Sequence, residues 1–106
     1  MTKIVIEMAP ITLLDGKTEV DLMAASDVFQ KGFVNGLKGF IRREMVHVKD
    51  NDYMDIIHWE SKEDAEAVLG LIEGSAECAA FFSLMDMSGM DESGGVKHYT
   101  SLASYS

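Results

Sequence analysis

The chain of 106 residues holds one cysteine, Cys78, one proline, Pro10, and one tryptophan, Trp59. A lone thiol excludes an internal disulfide and a zinc site of the usual Cys-rich kind. Basic residues are scarce: 9 Lys and Arg stand against 18 Asp and Glu, for a formal net charge of −9. Nucleic acid and anionic membranes need a basic face, so neither is an expected partner. No apolar run approaches the roughly 20 residues that cross a bilayer. Met1-Thr2-Lys3 leads straight into a strand-like segment, without the long apolar stretch and cleavage site of a secretory leader. The expected location is therefore the cytoplasm.

What is present suits one domain over residues 1–106. The chain is 47% hydrophobic and 25% charged, the composition of a globular domain. Its eight methionines are expected to fill irregular core space. Lys3 to Leu14 reads as a strand, from β-branched Ile4, Val5 and Ile6, with a bend, an end or an edge expected near Pro10. Asp15-Gly16 is a turn signal. Thr18 reads as an N-cap with Asp21 three residues on. The helix is predicted to run to about Leu37, with Leu22, Ala25, Phe29, Phe33 and Leu37 as its apolar stripe.

Phe40 to Lys49 and Tyr53 to Glu60 read as two strands of a hairpin joined through Asp50-Asn51-Asp52. Ser61 is a second N-cap, and Ala65, Val68, Leu69 and Ile72 continue an amphipathic helix. Ser75 caps a further helical stretch through Met85. Met87 to Gly95 reads as a loop, and Val96 to Tyr105 as a fourth strand. The order βαββαβ predicts an α+β, ferredoxin-like fold: a four-stranded antiparallel sheet with its helices on one face.

A hairpin loop of two or four residues would put Arg42, Glu44, Val46 and Val48 on one face with Asp55, Ile57 and Trp59. Ile41, Arg43, Met45 and His47 would then share the other face with Met54, Ile56 and His58. A three-residue loop breaks this grouping. Both faces carry apolar residues under either arrangement, whereas a solvated face is mostly polar. Trp59, Ile57, Val46 and Val48 in water would form an interface-like patch, so a homodimer is expected.

The chain resembles the dimeric α+β-barrel superfamily, and within it the antibiotic-biosynthesis-monooxygenase-like domains. The segments that carry the resemblance are Gly39-Phe40-Ile41-Arg42-Arg43-Glu44, Asp55-Ile56-Ile57-His58-Trp59-Glu60-Ser61, Phe81-Phe82 and Lys97-His98-Tyr99. The resemblance implies a ligand space between sheet and helices and activities that include cofactor-free oxygenation and haem breakdown. The haem-degrading pattern needs an Asn on the first strand and a Trp and a His on the second helix. An ungapped match from Trp59 puts Val68 and Cys78 at the last two positions, and Ile4 to Leu14 holds no Asn. Haem breakdown is therefore not expected.

His58 lies among Ile56, Ile57 and Trp59, and is the first candidate for a general base or a polar ligand contact. Arg43, His47 and His58 are predicted to share a sheet face, where they suit a carboxylate or enolate, or else pair with Glu44 or Glu60. His98 completes the set. No His-x-His or His-x-x-x-His spacing points to a metal, and no cofactor is expected. Arg42, Arg43, Glu44 and Asp55 are charges within strands, expected to pair at the dimer face. Trp59 reads first as a core or interface anchor. Phe29, Phe33 and Phe82 face the sheet as core residues that can also line an apolar pocket. Three functions follow as expectations: a dimer binding an aromatic polyketide-like or acyl molecule, a cofactor-independent monooxygenase, and a structural module with a filled core.

Overall fold

The computed structural model describes residues 3–88 and 95–106. Strand β1 (Val5–Thr12) leads through the Asp15-Gly16 turn into helix α1 (Glu19–Gly32). Thr18 caps α1 as its sequence suggests: its hydroxyl accepts from the Asp21 N–H, and Asp21 accepts from the Thr18 N–H at 3.0 Å. The helix stops at Gly32, short of Leu37. Phe33 leaves helical geometry, and a 3-10 turn, Val34–Gly36, drops Val34 into the core.

Strands β2 (Phe40–Lys49) and β3 (Asp52–Trp59) form the hairpin. Ser61 then caps α2 (Lys62–Ala67), accepting from the Asp64 N–H at 3.1 Å. The helix expected through Ile72 is broken at Val68, and α3 (Leu69–Ile72) is a separate turn. Gly70 weakens helix propensity there, and Leu69 of the predicted stripe is exposed. Helix α4 (Ala76–Phe82) follows its Ser75 cap, and strand β4 is confined to Lys97–Thr100. β4 stops early because its partner β1 begins at Val5; one further bond, Ser101 N–H to the Ile4 carbonyl, extends the ladder. The loop expected over Met87–Gly95 falls mostly on residues outside those described. Among the described residues, no helix is long and apolar enough to cross a membrane.

The sheet order is β2-β3-β1-β4, all antiparallel, which is the ferredoxin-like arrangement. β1 is a central strand despite Pro10. β4 pairs only with Val5–Met8, so Pro10 lies where β3 alone flanks β1.

The hairpin register corrects the expected grouping of faces. The loop has two residues, Asp50-Asn51, but the pairing shifts by one between His47 and Lys49. Val48 is the extra residue, a β-bulge. Beyond it Arg43 pairs with Ile57 and Met45 with Asp55. Arg43, Met45 and His47 therefore share the helix-facing side with Tyr53, Asp55, Ile57 and Trp59. Arg42, Glu44 and Val46 share the open side with Met54, Ile56 and His58.

Two buried clusters fill the helix-facing side. Ile11, Leu13, Leu22, Phe29, Val34, Tyr53, Cys78, Phe81 and Met85 form one, and Val5, Ile57, Trp59 and Ala65 the other. Phe40 packs against both. The open side still carries Ile6, Met8, Val46, Met54, Ile56 and Tyr99, so the sheet is apolar on both faces, although Trp59 and Ile57 lie under the helices.

Gly39 enters β2 at φ +80, and its carbonyl accepts from the Glu60 N–H at 2.8 Å. A Cβ there would collide with the Asp64 side chain. Gly39→Ala is expected to lower unfolding stability by at least about 1–2 kcal/mol, the left-handed backbone cost alone, in urea titrations.

Candidate functional site

Two groups of polar side chains lie on the helix-facing side. The first is centred on Arg43. Its Nε donates to both carboxylate oxygens of Asp55, at 2.9 and 3.0 Å. Its remaining nitrogens meet α1: one donates to the Ser26 hydroxyl at 2.9 Å, the other to Gln30 Oε1 at 3.2 Å and the Ser26 carbonyl at 3.5 Å. The guanidinium carbon lies 5.0 Å from the centre of the Phe29 ring and 5.3 Å from that of Phe81. Those rings stack at 4.5 Å, with Phe33 and Phe82 around Phe29 at 5.6 and 6.1 Å. Only 6% of the Arg43 side chain and 4% of that of Asp55 are exposed.

Of the four charges expected to pair at the dimer face, Arg43 and Asp55 thus pair inside the protomer, whereas Arg42 and Glu44 pair with each other at 3.3 Å, exposed on the open side of the sheet. Burial pushes the Asp55 carboxyl up to about 6, against the pull of Arg43, with Glu7 adding to the rise. Cys78 is also buried here, and burial raises its thiol.

The second group is centred on Glu7. One row across the sheet reads His98, Glu7, Ile57, Arg43, from β4 to β2. Glu7 Oε1 accepts from the Trp59 indole N–H at 3.2 Å and from His98 Nε2 at 3.2 Å. This group is reachable: 16% of the Glu7 side chain and 30% of that of His98 are exposed. Ala9, the next inward residue of β1, is partly exposed.

The three histidines do not come together. His47 sits by the hairpin turn, its Nε2 donating to the Asp50 carbonyl at 3.0 Å and its ring against Tyr53. His58 is on the opposite side of the sheet from Arg43 and His47, because the Val48 bulge separates them. Its Nδ1 is buried and has no hydrogen-bond partner among the described residues. Trp59 and His98 do converge, on a residue the sequence had not singled out. Glu7 alternates with Val5, Ala9 and Ile11, so a charge on the apolar side of a strand was its signal. Ser26 sits within the stripe of Leu22 and Phe29, one helical turn from each, as a buried hydroxyl would.

Among the described residues no group of three or more acidic, His or Cys side chains is placed to hold a metal. A separate open cleft of about 590 Å³ is lined by Lys38, Glu60, Ser61, Glu63 and Asp64 with Ile4 and Ile41. No histidine borders it.

The raised Asp55 carboxyl has a stability consequence. Between about pH 4 and 6 the folded chain holds a proton that the unfolded chain has released. Asp55 therefore favours folding most at the acid end, and that contribution is lost as pH rises through 6. The unfolding free energy of wild type minus that of Asp55→Asn is expected to shift in favour of wild type from pH 7 to pH 4.5. A flat difference over that range contradicts the burial effect.

No protein-family model matches the chain. No curated protein matches it either. Solved structures match along nearly its whole length. SnoaB, a cofactor-independent oxygenase from Streptomyces nogalater, is 15% identical with a TM-score of 0.65, covering 99% of this chain and 97% of that one. A candidate antibiotic biosynthesis monooxygenase from Bordetella bronchiseptica is 16% identical with a TM-score of 0.68, covering 96% and 100%. A heme-degrading protein from Mycobacterium tuberculosis is 15% identical with a TM-score of 0.66, covering 100% and 99%. At these identities the likeness is one of fold. The chain has the α+β, ferredoxin-like fold of the antibiotic-biosynthesis-monooxygenase-like domains.

Proposed function

We propose that this chain is a homodimer that binds a small, mainly apolar molecule, of aromatic polyketide-like or acyl character, on the helix-facing side of the sheet near β1 and β4. The observation that carries this reading is the convergence of Glu7, Trp59 and His98 at 3.2 Å contacts, partly exposed beside an otherwise apolar and closed interior. Sites of this kind place a few polar groups at one end of an apolar wall. Here Ala9, Ile57 and Trp59 supply the wall. Phe29, Phe33 and Phe82 serve as packing behind it, and the donors of Arg43 are taken by Asp55, Ser26 and Gln30. His47 and His58 take no part in this reading. Homodimerisation is supported by the open sheet side, where Ile6, Met8, Met54 and Ile56 form an apolar surface that a second copy would cover.

A second reading is that of a cofactor-independent monooxygenase. SnoaB, described as a cofactor-independent oxygenase, favours it through the shared fold. Protein-dependent oxygen uptake with an electron-rich phenol separates this reading from simple binding.

Native mass spectrometry at micromolar protein is expected to give the mass of two chains. Calorimetric titration with 2-naphthol is expected to show saturable binding, weakened about tenfold or more by Ala9→Leu, which puts a bulkier side chain two residues along the same strand face from Glu7. A single-chain mass and no binding by the wild type would overturn the proposal.

A further inference from the structure

We infer that Glu7 and His98 form an acid–base pair in which His98 Nδ1 is the working nitrogen, and that the molecule it meets carries a neutral, weakly acidic hydroxyl. This rests on the ligand site proposed above and assigns its chemistry. His98 Nε2 lies 3.2 Å from Glu7 Oε1, and a carboxylate only accepts, so Nε2 carries the hydrogen. Fixing the proton on one nitrogen leaves the lone pair on the other. Among the described residues none bonds to His98 Nδ1, and 30% of the side chain is exposed.

Glu7 is itself held. It faces His98 across the β1–β4 ladder, and the indole of buried Trp59 donates to the same oxygen. A positioned carboxylate, a directed imidazole and a second nitrogen with no partner among the described residues make the arrangement of a general base. The proton step is balanced: the ligand O–H bond breaks, its electron pair stays on oxygen, and a new N–H bond forms at Nδ1. The resulting imidazolium lies between the Glu7 carboxylate and the ligand oxyanion.

The same carboxylate sets the ligand class. An anionic ligand would meet Glu7 within the site, in a chain of net charge −9. Arg43, the buried cation of this sheet side, is already neutralised by Asp55. A neutral hydroxyl donor, a phenol or an enol, meets neither obstacle. Glu7 is the positioning residue, and His98 touches the ligand.

The test uses the full chain and 4-nitrophenol, whose ionised form absorbs visible light. The bound probe is expected to ionise roughly tenfold more readily in wild type than in Glu7→Gln, one unit in its apparent pKa when each protein is saturated with probe. His98→Gln, saturated with probe, is expected to lack the ionised band. Long-range proton–nitrogen NMR of wild type is expected to show hydrogen on His98 Nε2, a readout that needs no variant. Hydrogen on Nδ1 instead, or equal ionisation in all three proteins with binding retained, overturns the acid–base pair and leaves the ligand site standing. Failure of both 4-nitrophenol and 2-naphthol to bind wild type overturns the site and the pair together.

Discussion

A buried ion pair, Arg43 with Asp55, governs how the rest of this chain is arranged. Taking two charges out of water costs several kcal/mol per ion, so such a pair survives only when every donor is met. Here the guanidinium donates to Asp55, Ser26 and Gln30 and lies against the Phe29 and Phe81 rings. Those partners come from β3, α1 and α4. The pair therefore fixes which residues of the hairpin point at the helices and where the helices sit above it. The Val48 bulge is the local device that makes this possible, because it shifts β2 by one residue and turns Arg43 inward opposite Ile57.

That constraint divides the helix-facing side in two. Over β2 and β3 the interior is closed by stacked Phe rings around a saturated cation. Toward β1 and β4 it stays partly open, and Glu7 gathers Trp59 and His98 there. The division separates the roles of residues that look alike in sequence. Arg43 and Asp55 are structural because each guanidinium nitrogen and each carboxylate oxygen has a partner and the side chains are buried. Glu7 and His98 keep exposure, and among the described residues His98 Nδ1 has no partner, which are the physical requirements of a group that meets a ligand.

Much of the fold was legible in the sequence because local chemistry determined it. Thr18 and Ser61 cap helices through their own hydroxyls, and the strand runs around Val5, Ile57 and Trp59 have the right length and branching. The apolar character of both sheet faces was legible too, since it holds whichever way the strands face. The facing itself was not. Asp50-Asn51 signals a two-residue loop and the loop has two residues, yet one bulged residue at Val48 inverts the parity from His47 back to Arg42, until a second shift before Phe40. His47 and His58 were separated for that reason. Breaks within the predicted helices, at Phe33 and Val68, likewise reflect tertiary packing and a weak Gly70 more than any strong stop signal. Glu7 was a charge in an apolar alternation, a visible sign whose meaning needed the register of three strands.

The inward placement of Arg43 and Asp55 can be read directly by NMR in solution. Nuclear Overhauser contacts are expected from the Phe29 and Phe81 ring protons to the Arg43 side chain, and from the Trp59 and Phe40 rings to the Ile57 methyls. None are expected to Val46 or Ile56 within a protomer. Ring contacts to Val46 and Ile56, with none to Arg43, would mean that the hairpin faces the other way and that the ion pair does not organise the interior.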